Sequence, residues 1–205
     1  MPSRPTFFRK KALIWVALAF AVAIPLGAAA FSPQLAWRDP IYIVAGFAGI
    51  VAMALLLVQP LLAGGYLPDF SGMRARWMHR RIGAALVLAV VVHVGALWIT
   101  SPPDVIDALL LVSPTPFSIW GVIAMWAVFA AAAAAILRKR LRVRTWRMLH
   151  TTLIAVIATG TIVHAFLIDG TMEIYSKIGL SICIAIATLK VIADLRVWTL
   201  LRSRR

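Results

Sequence analysis

The sequence predicts an all-α membrane protein, a polytopic bundle of six transmembrane helices with both termini cytoplasmic. Three observations support this fold class. The 205 residues are 62% hydrophobic with a mean hydropathy of +0.93, long apolar runs recur along the chain, and the charges cluster between those runs. A soluble domain of this length carries more charge and shorter apolar runs. We expect one transmembrane domain over residues 1–205.

Six apolar runs are long enough to cross the roughly 30 Å of hydrocarbon in a bilayer. They cover residues 12–31, 41–62, 81–100, 117–137, 149–168 and 174–195. Because backbone polar groups in lipid must be satisfied within the segment itself, we expect each run to be a helix. The first run, which follows basic residues and ends near Ala28, Ala29 and Ala30, also has features of a secretory signal peptide, so its cleavage is the alternative interpretation.

The basic residues are distributed unevenly between the two sides of this predicted bundle. Of the 21 Lys and Arg residues, only Arg38 and Lys177 fall on one side. The other side has Arg4, Arg9, Lys10, Lys11, Arg74, Arg76, Arg80, Arg81, Arg138, Lys139, Arg140, Arg142, Arg144, Arg147, Lys190, Arg196, Arg202, Arg204 and Arg205. Such an excess is typical of cytoplasmic loops. It predicts a multi-pass protein of a bacterial inner or plasma membrane. The net charge of +14 is therefore expected to interact with membrane lipid and not with nucleic acid.

Tryptophans lie near the ends of the predicted spans. Seven of the eight follow this pattern: Trp15, Trp37, Trp77, Trp98, Trp120, Trp146 and Trp198. Aromatic residues of this kind form a belt at the membrane–water interface. The sequence therefore predicts an interfacial role for them.

The chain has four histidines, and their spacing repeats. His79 and His93 belong to the third span, His150 and His164 to the fifth, and each pair is 14 residues apart. Fourteen residues make nearly four helical turns, so both rings of a pair project from about the same face, about 21 Å apart. Since the third and fifth spans run in the same direction, His79 can face His150 and His93 can face His164.

Facing imidazoles in a membrane need a chemical partner. Polar groups at such depth are costly and are functional by default. Neutral imidazole is a common metal ligand, and haem iron takes axial nitrogens from opposite sides, one from each facing helix. This predicts two b-type haems, with Gly83, Gly95 and Gly160 among the small residues that leave room for a flat ring. The alternative is a hydrogen-bonding role, which is more plausible for His79 and His150 near the membrane boundary.

The same segments resemble a known family. His79-Arg80-Arg81-Ile82-Gly83 with His93, and Trp146-Arg147-Met148-Leu149-His150 with His164, resemble the ferric reductase-like transmembrane domain over residues 45–168. This family includes ferric reductases, the membrane part of NADPH oxidases, and the haem-binding subunit of a periplasmic methionine sulfoxide reductase system. The resemblance implies that His79 pairs with His150, and His93 with His164, as iron ligands of two haems. One haem is the alternative, although the single-haem subunits typically lack the first histidine.

The predicted function is transmembrane electron transfer as an oxidoreductase component. No G-x-G-x-x-G or P-loop pattern occurs in the 205 residues, so we expect a separate cytoplasmic flavoprotein, a flavin or a quinol as donor, and an acceptor of unknown identity outside. We expect Arg80, Arg81 and Arg147 to pair with haem propionates or to steer an anionic flavoprotein; topology and anionic lipid are the simpler explanation. The alternative functions are a methionine sulfoxide reductase haem subunit and a haem-free scaffold or small transporter.

Overall fold

A computed structural model describes the backbone of residues 4–195 and the side chains of residues 9–195. Within that range the chain forms seven α-helices and no strand, which confirms the all-α prediction. In chain order they are α1 (Arg4–Ala30), α2 (Pro40–Ala63), α3 (Gly72–Thr100), α4 (Pro102–Leu109), α5 (Pro116–Ile136), α6 (Val143–Leu167) and α7 (Ile174–Asp194). The predicted basic and aromatic residues outside these limits are the Arg4 side chain, Arg196, Trp198, Arg202, Arg204 and Arg205.

All helices except α4 are long and apolar enough to cross a membrane, so the six predicted spans are confirmed. Three of them, α1, α3 and α6, begin several residues earlier than their apolar runs. α3 begins at Gly72 and α6 at Val143, so His79 and His150 each lie seven residues inside a helix (79 − 72 and 150 − 143). Arginine is a good helix former and extends a helix beyond the hydrocarbon without adding to the apolar signal.

The short helix α4 was not predicted from the apolar runs. Two prolines occupy its first positions, where a missing backbone N–H costs nothing, and the Ser101 hydroxyl donates to the Asp104 carboxylate at 2.5 Å. The helix has eight residues, which is too short for a span. It leads from α3 to the loop before α5.

The long helices form two closely packed antiparallel pairs. α2 packs along α3, and α5 packs along α6, whereas close backbone contacts between α3 and α6 are sparse among the described residues. At Gly160 of α6 an added Cβ would lie 3.1 Å from the Trp120 carbonyl oxygen of α5, so glycine permits this close approach. The two histidine-bearing helices are therefore held by their neighbours, with space left between them.

Polar contacts tie together the end of the bundle that carries most Lys and Arg residues, here called the basic end. It comprises the start of α1, the α2–α3 loop, the α5–α6 connection and the end of α7. Lys11 pairs with Asp69 at 2.6 Å, Lys190 with Asp194 at 2.8 Å, and Arg147 Nη2 donates to the Leu195 carbonyl at 3.2 Å. The Tyr66 hydroxyl also donates to the Asp194 carboxylate, which raises the pKa of Tyr66.

The opposite end, here called the far end, contains the two basic residues predicted there. The guanidinium of Arg38 lies over the Tyr42 ring at 4.8 Å, and Lys177 is buried with its Nζ donating to the Ile168 carbonyl at 2.8 Å. Glu173 caps α7 by accepting the backbone N–H groups of the next turn, and these hydrogen bonds lower the pKa of its carboxyl. The α6–α7 loop is thereby fixed against both helices.

Apolar side chains cover the outside of the bundle. Phe20, Leu88 and Ile186 are each at least 60% exposed, whereas Ile184, on the inner face of α7, is fully buried. A soluble protein would not leave so much contiguous apolar surface in water. We therefore expect this surface to face the lipid hydrocarbon of a membrane.

Candidate functional site

The four histidines meet in two facing pairs between α3 and α6. The ring centres of His93 and His164, the far-end pair, are 6.4 Å apart with an interplanar angle of 85°. The ring centres of His79 and His150, the basic-end pair, are also 6.4 Å apart, at 73°. The structure thus brings together the pairs that the sequence predicted.

Both rings of the far-end pair are fixed by backbone carbonyls of neighbouring helices. His93 Nδ1 lies 2.7 Å from the Ala45 oxygen of α2, and His164 Nδ1 lies 2.9 Å from the Phe117 oxygen of α5. A carbonyl oxygen only accepts, so each Nδ1 must donate, and Nε2 then keeps its lone pair. This second layer fixes both the tautomer and the ring orientation of a metal-ligating histidine.

A glycine one helical turn after each of these carbonyls makes the approach possible. An added Cβ on Gly49 would lie 3.2 Å from His93 Nδ1, and one on Gly121 would lie only 2.7 Å from His164 Nδ1. In an α-helix the carbonyl of residue i points toward residue i+4, so a side chain at i+4 shields it. Glycine at these positions exposes the carbonyl to the imidazole.

The basic-end pair has weaker second-layer contacts. His79 Nδ1 lies 3.3 Å from the Gln59 carbonyl, and Gln59 Nε2 donates to the His79 carbonyl at 3.2 Å. His150 Nδ1 is buried and has no hydrogen-bond partner in the described structure. Its ring instead stacks on Trp146, with ring centres 5.2 Å apart and an interplanar angle of 11°.

The spacing within each pair fits two axial ligands on one metal. A metal–nitrogen bond of about 2 Å on each side, with each ring centre about 1 Å behind its nitrogen, gives a separation of about 6 Å between ring centres. Both pairs have 6.4 Å. No cluster of three or more His, Cys, Asp or Glu side chains occurs among the described residues, so a metal here needs its other ligands from a cofactor. A porphyrin supplies four, and the sparse α3–α6 contact leaves room for a flat ring.

The three predicted arginines lie at the basic end, in the first two turns of α3 and α6 or just beyond. Arg80 is exposed, the Arg81 guanidinium lies 3.7 Å from the Trp77 ring centre, and Arg147 donates to Leu195 as described. No carboxylate pairs with any of them in the described structure. Their positive charge is therefore not neutralised by a carboxylate within the described part of the chain.

Sequence reasoning predicted the facing histidine pairs but missed the residues behind them. Gly49, Gly121 and Gln59 lie on α2 and α5, whereas the small residues singled out in advance lie on α3 and α6. Of those, Gly95 has open space around it and Gly160 contacts α5. A buried Gln59 in an otherwise apolar run was the one visible signal, because a polar side chain in a span needs a partner.

Comparisons with known proteins agree with this geometry. Neither the curated proteins nor the solved structures compared with the chain include a match. The family model of the ferric reductase like transmembrane component matches residues 48–161, which include His79, His93 and His150 and end three residues before His164. With six apolar helices, this makes the chain an integral multi-pass membrane protein and confirms the predicted resemblance. The chain belongs to the ferric reductase-like transmembrane component family, whose members are membrane components of electron transfer.

Proposed function

We propose that the protein holds b-type haem at both histidine pairs and carries electrons from a cytoplasmic donor at the basic end to an acceptor at the far end. The observation that carries this proposal is the equal 6.4 Å separation of ring centres in both pairs. Structural histidines have no reason to repeat one metal-compatible spacing at two depths. The excess of Lys and Arg at the basic end supports a cytoplasmic location for that end.

The protein's own groups prepare each pair for this role. The carbonyls of Ala45, Phe117 and Gln59 accept from Nδ1 and leave Nε2 available between the helices. Haem iron, when bound, supplies reversible one-electron chemistry between its ferrous and ferric states. The apolar spans around the pairs exclude water and so favour electron transfer over side reactions.

The basic end suits an anionic donor. Arg80, Arg81 and Arg147 carry charge that no protein carboxylate neutralises in the described structure. Such groups pair well with propionates and increase the local concentration of an anionic flavoprotein or flavin. A quinol has no charge to steer, so the charge distribution favours the flavin donors.

A second candidate function has one observation in its favour. In a haem-binding subunit of a methionine sulfoxide reductase system with a single haem, only the far-end pair would be loaded. The far-end pair has a short carbonyl contact at both rings, whereas His150 of the basic-end pair has none. A single haem at the far end would therefore lie between the two histidines that both have a backbone carbonyl contact.

Absorption spectroscopy of the detergent-purified, haem-supplemented chain tests both candidates. We would record reduced-minus-oxidised spectra and haem per protein for the wild type, His79→Ala and His93→Ala, with Gly179→Ala on α7 as a control because its added Cβ meets open space. Two haems in the wild type and one in each histidine variant support the proposal. One haem that survives His79→Ala indicates the single-haem candidate. A well-folded wild type without haem would leave a scaffold or transporter as the function.

A further inference from the structure

The register of the helices shows which backbone carbonyl is missing behind His150. On α2 the acceptors Ala45 and Gln59 are 14 residues apart, matching the spacing of His93 and His79 on the antiparallel α3. On α5 the residue 14 positions after Phe117 is Ala131, which stands opposite His150 in the register of α5 and α6. No hydrogen bond joins these two residues in the described structure.

The residue one turn after the acceptor differs with the length of the contact: it is glycine behind the 2.7 and 2.9 Å contacts of His93 and His164, and Ala63 behind the 3.3 Å contact of His79. Gly121 stands four residues after Phe117, whereas Ala135 stands four residues after Ala131. A Cβ at the Gly121 position would lie 2.7 Å from the facing imidazole nitrogen. By helix geometry the methyl group of Ala135 reduces access to the Ala131 carbonyl, as Ala63 does at the longer Gln59 contact.

His150 has a ring contact with Trp146 instead of a hydrogen bond at Nδ1. Trp146 lies one turn before His150 on α6, and the two rings are nearly parallel, 11° apart, with centres separated by 5.2 Å. The Trp146 Nε1 is buried and has no partner in the described structure, so the indole is not held there by its own hydrogen bond. The contact that Trp146 makes at this position is therefore the stack on the His150 ring.

We propose that Trp146 is a positioning residue for the basic-end site, which fixes the His150 ring by stacking where the other three histidines use a backbone carbonyl. The inference deepens the proposed function and rests on it. Trp146 acts through His150 and contacts no electron donor or acceptor in this role. An aromatic stack on this scale changes a ligand equilibrium by up to about tenfold, which is within reach of a haem-retention measurement.

The test compares Trp146→Ala and Trp146→Phe with the wild type. Trp126→Ala is the matched control, since Trp126 is 58% exposed on α5 and its ring contact is an edge-to-face one with Phe129. Haem loss to an excess of apomyoglobin gives the haem dissociation rate of each site. The low-spin electron paramagnetic resonance signals of the ferric protein, assigned from His79→Ala and His93→Ala, separate the two haems and report the orientation of the axial rings.

In Trp146→Ala we expect the basic-end haem to dissociate about tenfold faster and its resonance signal to shift or broaden. The far-end signal should not change, and Trp146→Phe, which keeps a stacking ring, should restore most of the wild-type behaviour. An unchanged basic-end signal and dissociation rate in Trp146→Ala would overturn the inference while leaving the proposed function intact. So would equal loss of both haems in Trp146→Ala, since that indicates a general folding defect. A wild type without haem would overturn both.

Discussion

The far-end and basic-end histidine pairs have the same ring separation but different support. Both pairs have ring centres 6.4 Å apart. At the far end, carbonyls at 2.7 and 2.9 Å fix both rings, and a glycine behind each carbonyl gives the ring access. At the basic end one ring has a 3.3 Å contact and the other has a stacked indole. The same separation between histidine rings is therefore reached with two different sets of supporting contacts behind the rings.

The largest expected effect comes from Gly121→Ala. The added Cβ would lie 2.7 and 2.9 Å from the Nδ1 and Cε1 of His164, so the ring must leave its place. We expect loss of the far-end haem, with about half the wild-type haem per chain. Pyridine haemochrome analysis against protein concentration measures this. Gly179→Ala, whose Cβ meets open space on α7, should keep the full amount. Full haem in Gly121→Ala as well would contradict the role assigned to Gly121.

Gly49→Ala should give a smaller effect at the same pair. Its Cβ would lie 3.2 and 3.3 Å from His93 ring atoms, which requires a shift of a few tenths of an ångström. Since a disturbed second layer costs about 10–100-fold in metal affinity, we expect the far-end haem to bind but to dissociate at least tenfold faster. Transfer to apomyoglobin measures the rate, with Gly179→Ala on α7 as the control. A rate equal to that of the control would show that His93 tolerates the methyl group.

The unequal second layers also predict unequal midpoint potentials. A strongly hydrogen-bonded Nδ1–H makes imidazole a better donor and stabilises ferric iron. We therefore expect the basic-end haem to have the higher potential, by on the order of 60 mV, which corresponds to a tenfold change in the ferric-to-ferrous ratio. The neighbouring arginines act in the same direction because positive charge favours the reduced state. Spectroelectrochemical titration of His79→Ala and His93→Ala isolates each haem, and equal potentials in the two variants would refute the ordering.

A few-fold effect is expected when Arg80 and Arg81 are both changed to Gln. Reduction by reduced flavin mononucleotide should slow at low salt, because its phosphate is attracted to the basic end. The difference should vanish near 1 M salt, where the screening length is about 3 Å. Stopped-flow absorbance measures the rate, with uncharged reduced riboflavin as the matched donor and Arg38→Gln as the far-end charge control. An equal slowing with riboflavin would mean that charge steering is not the cause.

The sequence predicted the spans and the pairs because both leave a pattern in side-chain type. Apolar length marked six helices, and a 14-residue spacing of His residues marked the facing rings. The early start of α3 at Gly72 was missed because an arginine-rich turn carries no apolar signal, although arginine favours helix. α4 was missed because eight residues give too short a window.

The second layer was harder to predict for a different physical reason. Three of the four Nδ1 atoms use backbone carbonyls, which every residue has, so Ala45 and Phe117 look like ordinary span residues. Trp146 was expected to be an interfacial anchor, and its position near the end of a span gave no indication of the stack on His150. A glycine at i+4 marks the two carbonyls with the shortest contacts, whereas Gln59 is followed by Ala63 and has the longer one; using this signal requires knowing which helices are neighbours.

The smallest predicted effect reverses this asymmetry. Ala135→Gly removes the methyl group one turn after Ala131, so we expect His150 Nδ1 to donate to the Ala131 carbonyl, as His164 Nδ1 donates to Phe117 beside Gly121. We expect the potential of the basic-end haem to fall toward that of the far-end haem by a few tens of mV, with the far-end potential unchanged. The glycine also costs about 1 kcal/mol of helix stability, so Ala133→Gly, on an exposed position of α5, is the matched control. If both variants shift the potential of the basic-end haem equally, the cause is the lower helix stability. A fall in potential confined to Ala135→Gly would show that one methyl group causes the difference in potential between the two sites.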